Sequence, residues 1–392
     1  MMKFRQEIVE IVEGVLRPGG EPIALHEPEF SGVEEELVLD CIRSSFVSSV
    51  GKYVDQFEHE LASICGVDHA VAVVNGTAAL QVALRLSGVR PGSEVIMPSL
   101  TFVATANAAH YLGGLPHFVD ISEDTLGVNP VALRNHLNRV TDKRTGRLIN
   151  RDTGRPIDAI VPMHAFGHPS DLDGLLEVAD EFNLPLIEDA AEALGSRWRG
   201  KSCGSFGSMG ALSFNGNKII TTGGGGAILT DDAELAHQAK HLTTTAKVLH
   251  RWAFSHDEIG YNFRMPNLNA ALGVAQLRQI ESRIRSKRNL AKRYQNAFSD
   301  FGHGYCFEER PEAQSNYWLN ALVLNPEVAD ARDEVLESLH EVGVMARPAW
   351  EPLHQLSIYR DCPRDDLPVT EGLARRIVNL PSSSFLGELY CG

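Results

Sequence analysis

From about residue 70 the chain alternates short apolar runs with longer stretches of helical periodicity. The runs Ala70–Val74, Glu94–Met97, His117–Val119, Ala159–Met163, Pro185–Ile187, Ala211–Phe214 and Ala227–Leu229 predict strands. They are mostly continuous in apolar residues, the pattern of strands covered on both faces. Between them lie predicted helices such as Thr77–Leu86, Asp173–Phe182 and Ala233–Leu242. Strand–helix–strand order, repeated, predicts an α/β fold: a mostly parallel sheet in a three-layer sandwich. In such folds ligands collect at the carboxyl ends of the strands.

The pattern changes at both ends. Met1–Leu16 reads as an amphipathic helix with mixed charges, so residues 1–30 form a predicted helix and arm. After Leu277 come a long charged helix (Arg278–Phe298), a strand-like stretch (Tyr317–Leu324) and a helix around Asp333–Val342. We expect a large domain over 31–277 and a smaller α+β domain over 278–392. The polar segment Asp142–Pro156 contains a near-repeat, Arg144-Thr145-Gly146-Arg147 and Asp152-Thr153-Gly154-Arg155. It predicts a solvated surface excursion, such as a hairpin.

Charge narrows the partners. The formal net charge is -15 with no long basic block, which argues against nucleic acid or an anionic membrane. No apolar run is long enough to span a bilayer, and the N-terminus lacks the pattern of a signal peptide. The cysteines Cys41, Cys65, Cys203, Cys306, Cys362 and Cys391 are scattered without CxxC spacing, as expected for reduced thiols in a cytoplasmic protein. His164 and His168 are four apart, but Gly167 and Pro169 argue against a helical metal pair, and no metal is expected.

Candidate chemistry centres on Lys218. It follows the strand ending Ser213-Phe214 and precedes the run Gly223–Gly226, so it belongs to a short mobile loop. Asp189 ends another apolar strand, where a carboxylate is costly unless paired. A loop lysine and a strand-end aspartate are what pyridoxal 5′-phosphate requires: an amine for the aldehyde, and an anion for the pyridinium nitrogen. Glu188 should face the other way, because strand neighbours alternate. Asn75-Gly76-Thr77 reads as strand, turn and helix start, with Thr77 able to cap and the amides able to cup a phosphate. Ser213 can add a hydroxyl, and the glycines permit positive φ and close approach. Phe102 follows a strand end and could lie on the ring, although a lone phenylalanine is more often core. Asn262 and Arg264, before an Ala-rich helix, could reach a phosphate in a neighbouring subunit, or Arg264 could be a surface ion pair.

These stretches together resemble the DegT/StrS family of nucleotide-sugar aminotransferases, with the aspartate-aminotransferase fold (fold type I). The stretches are Asn75–Ala79, Pro98–Thr105, Glu188–Ala191, Ser213-Phe214 with Lys218, and Gly260–Arg264; the likeness spans about Pro22–Pro381. It implies a homodimer with shared active sites. It also implies Lys218 bonded to the cofactor, Asp189 on the ring nitrogen, Phe102 stacked, and Gly76, Thr77 and Ser213 on the phosphate. Asn262 would come from the partner chain. Glu192 stands where glutamine or histidine is frequent, which bears on how the phenolic oxygen is held.

Within the family, Pro22–Gly32, Phe46–Val54, His164–Pro169 and Ala346–Trp350 look most like transaminases making UDP-4-amino-4,6-dideoxy-N-acetylglucosamine. That implies L-glutamate as donor and a UDP-4-keto-6-deoxy sugar as acceptor. Arg264, Arg347, Lys247 and Arg251 are the candidates for neutralising the diphosphate. Three other readings stay open: another 4-keto-6-deoxy sugar such as GDP-4-keto-6-deoxymannose, a sugar dehydratase or deoxygenase of the same fold, and a silent cofactor-binding scaffold. Dehydratase relatives carry histidine in place of the lysine, so Lys218 argues against them.

Overall fold

The computed structural model describes residues 2–16, 21–144 and 146–388. Met1, Thr145 of the near-repeat and Cys391 lie outside the described residues. Among those described, no helix is long and apolar enough to cross a membrane.

Helix α1 is Met2–Leu16, followed by α2 Val33–Ser44 and α3 Lys52–Cys65. The wound sheet then begins with β1 His69–Val73, α4 Gly76–Leu86, β2 Glu94–Pro98, α5 Ala104–Tyr111, β3 Leu115–Val119 and α6 Pro130–Val140. The hairpin β4 Thr141–Arg144 and β5 Arg147–Asn150 leads into β6 Pro156–Ile160, α7 Leu172–Phe182 and β7 Ile187–Asp189. Two short strands, β8 Arg197–Trp198 and β9 Lys201–Ser202, precede β10 Met209–Ser213, β11 Gly226–Thr230 and α8 Ala233–Thr243.

Strand order is β1-β11-β10-β7 in one sheet and β3-β2-β6-β5-β4 in the other. Parallel bridges from Ile160 to Leu186 and from Met163 to Asp189 join them. The wound order is therefore β1-β11-β10-β7-β6-β2-β3, and β11 alone runs antiparallel to its neighbours. Alternation sorts the side chains into two layers. Val71, Val73, Ala211 and Ile228 pack under α4, α5 and α8. Ala70, Ala72, Leu212, Ala227 and Leu229 pack under α3 and the later helix α9, Asn267–Leu277. All seven predicted strands form, with ends at most three residues from those expected.

The polar segment is more than a solvated excursion. Its hairpin lengthens the sheet, with Leu148 registered on Ile157, and Asn150 is buried and donates to Glu94 at 2.8 Å. Alternation in Arg147–Asn150 buries Leu148 and Asn150, a signal that polar composition hid.

A small hairpin pairs β12 Lys247–Val248 with β13 Ser255–His256, and α9 Asn267–Leu277 and α10 Ile280–Ala297 follow. Gly273 of α9 has no room for a side chain: a Cβ there would lie 2.5 Å from the Phe57 ring. The last part contains β14 Gly304–Cys306, β15 Ala313–Gln314, β16 Asn320–Leu324, α11 Arg332–Glu341, β17 Arg347–Pro348, α12 Pro368–Ala374, β18 Ile377–Leu380 and α13 Phe385–Glu388. Its antiparallel sheet runs β14-β16-β18-β17, and α1 packs on it through Phe4, Ile8 and Val12, beside Tyr294 of α10 and Leu339 of α11.

Candidate active site

The carboxyl ends of β1, β7 and β10 open on one cavity of about 330 Å³, inside the range of small-ligand sites. Asn75, Gly76, Thr77, Phe102, Asp189, Glu192, Ser213, Asn217, Lys218, Trp318 and Trp350 are on its wall. Seven residues that the sequence singled out thus meet here: Gly76, Thr77, Phe102, Asp189, Glu192, Ser213 and Lys218.

Lys218 sits in a tied loop, not a loose one. Its amide donates to the Asn215 carbonyl at 3.0 Å, and the Thr222 amide closes the loop on the Phe214 carbonyl at 3.0 Å. The Trp318 indole donates to the Asn217 carbonyl at 2.6 Å, and the same ring lies 4.0 Å beneath the Lys218 ammonium. The ammonium pairs with Glu192 at 3.1 Å. The glycine run also does less with φ than expected: within it only Gly223 is positive, at 77°. Its other role is closeness. A Cβ on Gly226 would lie 2.5 Å from the Asn75 carbonyl carbon, and one on Gly76 would lie 2.9 Å from the Ser213 Cβ.

Asn75, not Thr77, caps α4: its side chain accepts from the Ala78 amide at 2.8 Å. Thr77 falls in the first turn, so its hydroxyl and the first-turn amides remain on the cavity wall. A helix N-terminus with nearby hydroxyls attracts an anion.

Asp189 is buried and accepts from the Thr105 hydroxyl at 2.6 Å and the Ala191 amide at 3.2 Å. Burial pushes its pKa up; the Thr105 and Ala191 hydrogen bonds and the Lys218 charge oppose that. Burial also pushes Glu192 up, to about 7, against the pull of Lys218 and the Phe166 amide. Glu188 faces the opposite side, as alternation requires, accepting from His164 and from the amides of Gly204, Phe206 and Gly207.

A fold, a lysine and a buried aspartate now stand together, and the comparisons give them a family. Residues 29–388 match the model of the DegT/DnrJ/EryC1/StrS aminotransferase family. The chain belongs to that family. A GDP-perosamine synthase of Caulobacter vibrioides is 35% identical over 370 residues, 93% of this chain and 94% of the relative. A UDP-4-amino-4,6-dideoxy-N-acetyl-beta-L-altrosamine transaminase of Campylobacter jejuni is 31% identical, covering 79% of each chain. The crystal structure of a DegT DnrJ EryC1 StrS aminotransferase from Brucella abortus superposes with a TM-score of 0.80 at 28% identity, over 90% of this chain and 91% of that one.

As in other DegT-family aminotransferases, the cofactor is pyridoxal 5′-phosphate. The residues fit it. The start of α4 with Thr77 and Ser213 shares the cavity wall with the buried Asp189 carboxylate, which forms no ion pair among the described residues, as a pyridinium partner should. Phe102 is 53% exposed on the cavity wall, so it is not the core phenylalanine its composition suggests.

None of the four candidate diphosphate ligands is on this wall, where Lys218 is the only cation among the described residues. Lys247 lies over Phe254 at 4.2 Å and Arg251 over Trp252 at 5.6 Å, both on the hairpin. Arg347 is exposed beside His340, and Arg264 donates to Asn262 at 3.1 Å, forming no ion pair among the described residues. Asn262 is also off the wall of its own chain. Sequence reasoning missed Thr105, Trp318 and Trp350. Thr105 had a signal: it lies in the stretch Pro98–Thr105 already singled out, and its hydroxyl meets that of Thr101, just ahead of α5, at 3.0 Å. Trp350 closes the stretch Ala346–Trp350 but was given no role in the site, and Trp318, a hundred residues from Lys218, had no signal.

Proposed function

We propose that this chain moves the amino group of L-glutamate to the C4 ketone of a 4-keto-6-deoxy hexose carried on a nucleoside diphosphate. One observation carries the reading: the Lys218 amine and the buried Asp189 carboxylate meet in one cavity beside the α4 N-terminus. Bound pyridoxal phosphate supplies an aldehyde for amine exchange and an electron sink for the charge left when a carbon loses its proton.

The chain's own residues do the rest. The α4 amides, Thr77 and Ser213 bind the phosphate. Asp189 holds a proton at the pyridine nitrogen, and Thr105 keeps its carboxylate aimed. Phe102 covers one ring face. Lys218 Nζ takes a proton from the amino-acid α-carbon and later returns one to sugar C4. Trp318 keeps that amine out of bulk water, leaving the lysine side chain 14% exposed.

The sugar nucleotide has two readings. The stretches Pro22–Gly32 and Phe46–Val54 support a UDP-linked N-acetylhexosamine; the Caulobacter relative supports a GDP-linked sugar. We further infer a homodimer. The one cation that the described residues place on the wall cannot neutralise a diphosphate, and the hairpin exposes Leu249 at 97%, Trp252 at 73% and Phe254 at 82% beside Lys247 and Arg251. A second copy would cover those side chains and could bring Asn262 and Arg264 to the site.

Incubation with ¹⁵N-glutamate and a panel of UDP-, GDP- and dTDP-4-keto-6-deoxy sugars, read by mass and NMR, tests the function. Label at C4 of one sugar identifies the substrate; label in none refutes the reading. Lys218→Ala should abolish turnover, since a positioned acid–base group alone is worth ~10²–10⁴-fold. Normal turnover in that variant would refute the lysine's role.

A further inference from the structure

Trp350, on the cavity wall, is held from three sides. One face of its indole stacks on the buried Phe166 ring, with centroids 4.7 Å apart and planes 21° off parallel. Just before it, β17 pairs Pro348 with Val378. Just after it, the Leu353 amide donates to the Ser99 carbonyl at 2.9 Å, and the Ser99 hydroxyl lies 2.8 Å from His354 Nδ1. Phe166 itself has a left-handed backbone, φ 57°, which a residue with a side chain seldom adopts. Its amide is committed to Glu192 at 2.9 Å and its carbonyl to the Leu319 amide at 3.2 Å. Strain kept in place by its surroundings is found where a site needs one side chain in one position.

That position is beside the acid–base lysine. Glu192 meets the Phe166 amide with one oxygen and the Lys218 ammonium, at 3.1 Å, with the other, so the stacked pair and the amine share a corner of the cavity. A sugar whose C4 comes within reach of Lys218 Nζ carries C6 close by, on the adjoining C5. We propose that Trp350 selects a 6-deoxy sugar, packing its free indole face on the C6 methyl group. The inference rests on the reading of this chain as an aminotransferase acting at sugar C4. A methyl group gains by leaving water for an aromatic face. A hydroxymethyl group also gives up hydrogen bonds to water, and the main chain behind the indole returns none, since both polar groups of Phe166 are already paired. An apolar pocket of this kind disfavours an added hydroxyl by about 10²-fold.

The test runs amino transfer in reverse. The full chain, loaded with pyridoxal phosphate, receives 2-oxoglutarate and an equal mixture of two 4-amino-4-deoxy sugar nucleotides that differ only in CH₃ or CH₂OH at C5, on the nucleotide that the ¹⁵N panel identifies. Mass spectrometry follows both sugars in one tube. Their rate ratio isolates the sugar step, because both share the same folded fraction, cofactor content and keto acid. Wild type should favour the methyl sugar by about 10²-fold; Trp350→Gln, which removes the face and offers the hydroxyl a partner, should bring the ratio below about ten, and Trp350→Phe should keep it near wild type. Saturation-transfer NMR should show the C6 methyl among the most strongly saturated protons of the bound 6-deoxy sugar in wild type and not in Trp350→Gln. Four results would overturn the proposal: a wild-type ratio near one, a full preference in Trp350→Gln, an unsaturated C6 methyl in wild type, or a Trp350→Gln effect confined to the choice between UDP and GDP, which would give the indole to the base. Failure of the underlying reading looks different: label would appear in no sugar of the panel, in wild type and variants alike.

Discussion

At Asp189 the decisive bond is a hydroxyl. Thr105 donates to its carboxylate at 2.6 Å from the neighbouring helix, and a hydrogen bond to a charged group contributes about 1.5–3 kcal/mol. Thr105→Val keeps the shape and removes the donor. It should push the Asp189 pKa further up and weaken pyridoxal-phosphate affinity about ten-fold, measured by absorbance titration; unchanged affinity would remove Thr105 from the site. Glu192 makes a pH prediction for the cofactor-free protein. Its folded pKa is raised from 4.5 to about 7 by burial. Between those values the folded chain binds more protons than the unfolded chain, so this group's contribution to stability falls as pH rises from about 4.5 to 7. Denaturant midpoints taken across that window should fall more steeply in wild type than in Glu192→Gln. These roles were only half legible in sequence. Lys218 and Asp189 announce themselves because an amine in a glycine-flanked loop and an acid on an apolar strand are both locally out of place. Trp318 does not, since nothing about a tryptophan a hundred residues away says which lysine it covers.

Two elements, α4 and β11, touch at the end of the site proposed for the phosphate. Gly226 of β11 lies against Asn75 and Gly76 at the start of α4, and added bulk would meet main chain, which cannot rotate aside. Gly226→Ala should therefore cost about 1–3 kcal/mol by denaturant unfolding, the range for overpacking, and should weaken phosphate affinity along with stability. A variant as stable as wild type would mean the contact is looser than described. Strand positions were readable because continuous apolar runs have few other fates. The hairpin of β4 and β5 was misjudged because composition was weighed over alternation: charged residues dominate it, yet Leu148 and Asn150 point inward. Helix α4 was displaced by a residue because Asn75 and Thr77 are both good caps, and only the strand's end decides between them.

For the whole molecule, the wound sheet and the small antiparallel sheet meet at Lys218. Trp318, just ahead of β16, spans that junction, since its indole bonds to the lysine loop. Trp318→Phe should remove that bond while keeping an aromatic face, lowering kcat without loss of fold; circular dichroism and steady-state rates would check both. The exposed hairpin makes the prediction at the largest scale. Sedimentation should give twice the 43.0 kDa chain mass, and Trp252→Glu should shift it toward monomer with loss of turnover. A monomeric, fully active wild type would end the shared-site reading.

By itself the order of residues determined the architecture and singled out the lysine and the aspartate as candidates, because periodicity and local incongruity are one-dimensional signals. Only the folded chain decided which carboxylate the lysine meets, which threonine steadies the aspartate and which tryptophan lies beneath the amine. Those pairings join residues far apart in sequence through packing. Among the described residues they also leave the cavity wall with a single cation, a fact about three-dimensional placement that no count of lysines and arginines contains.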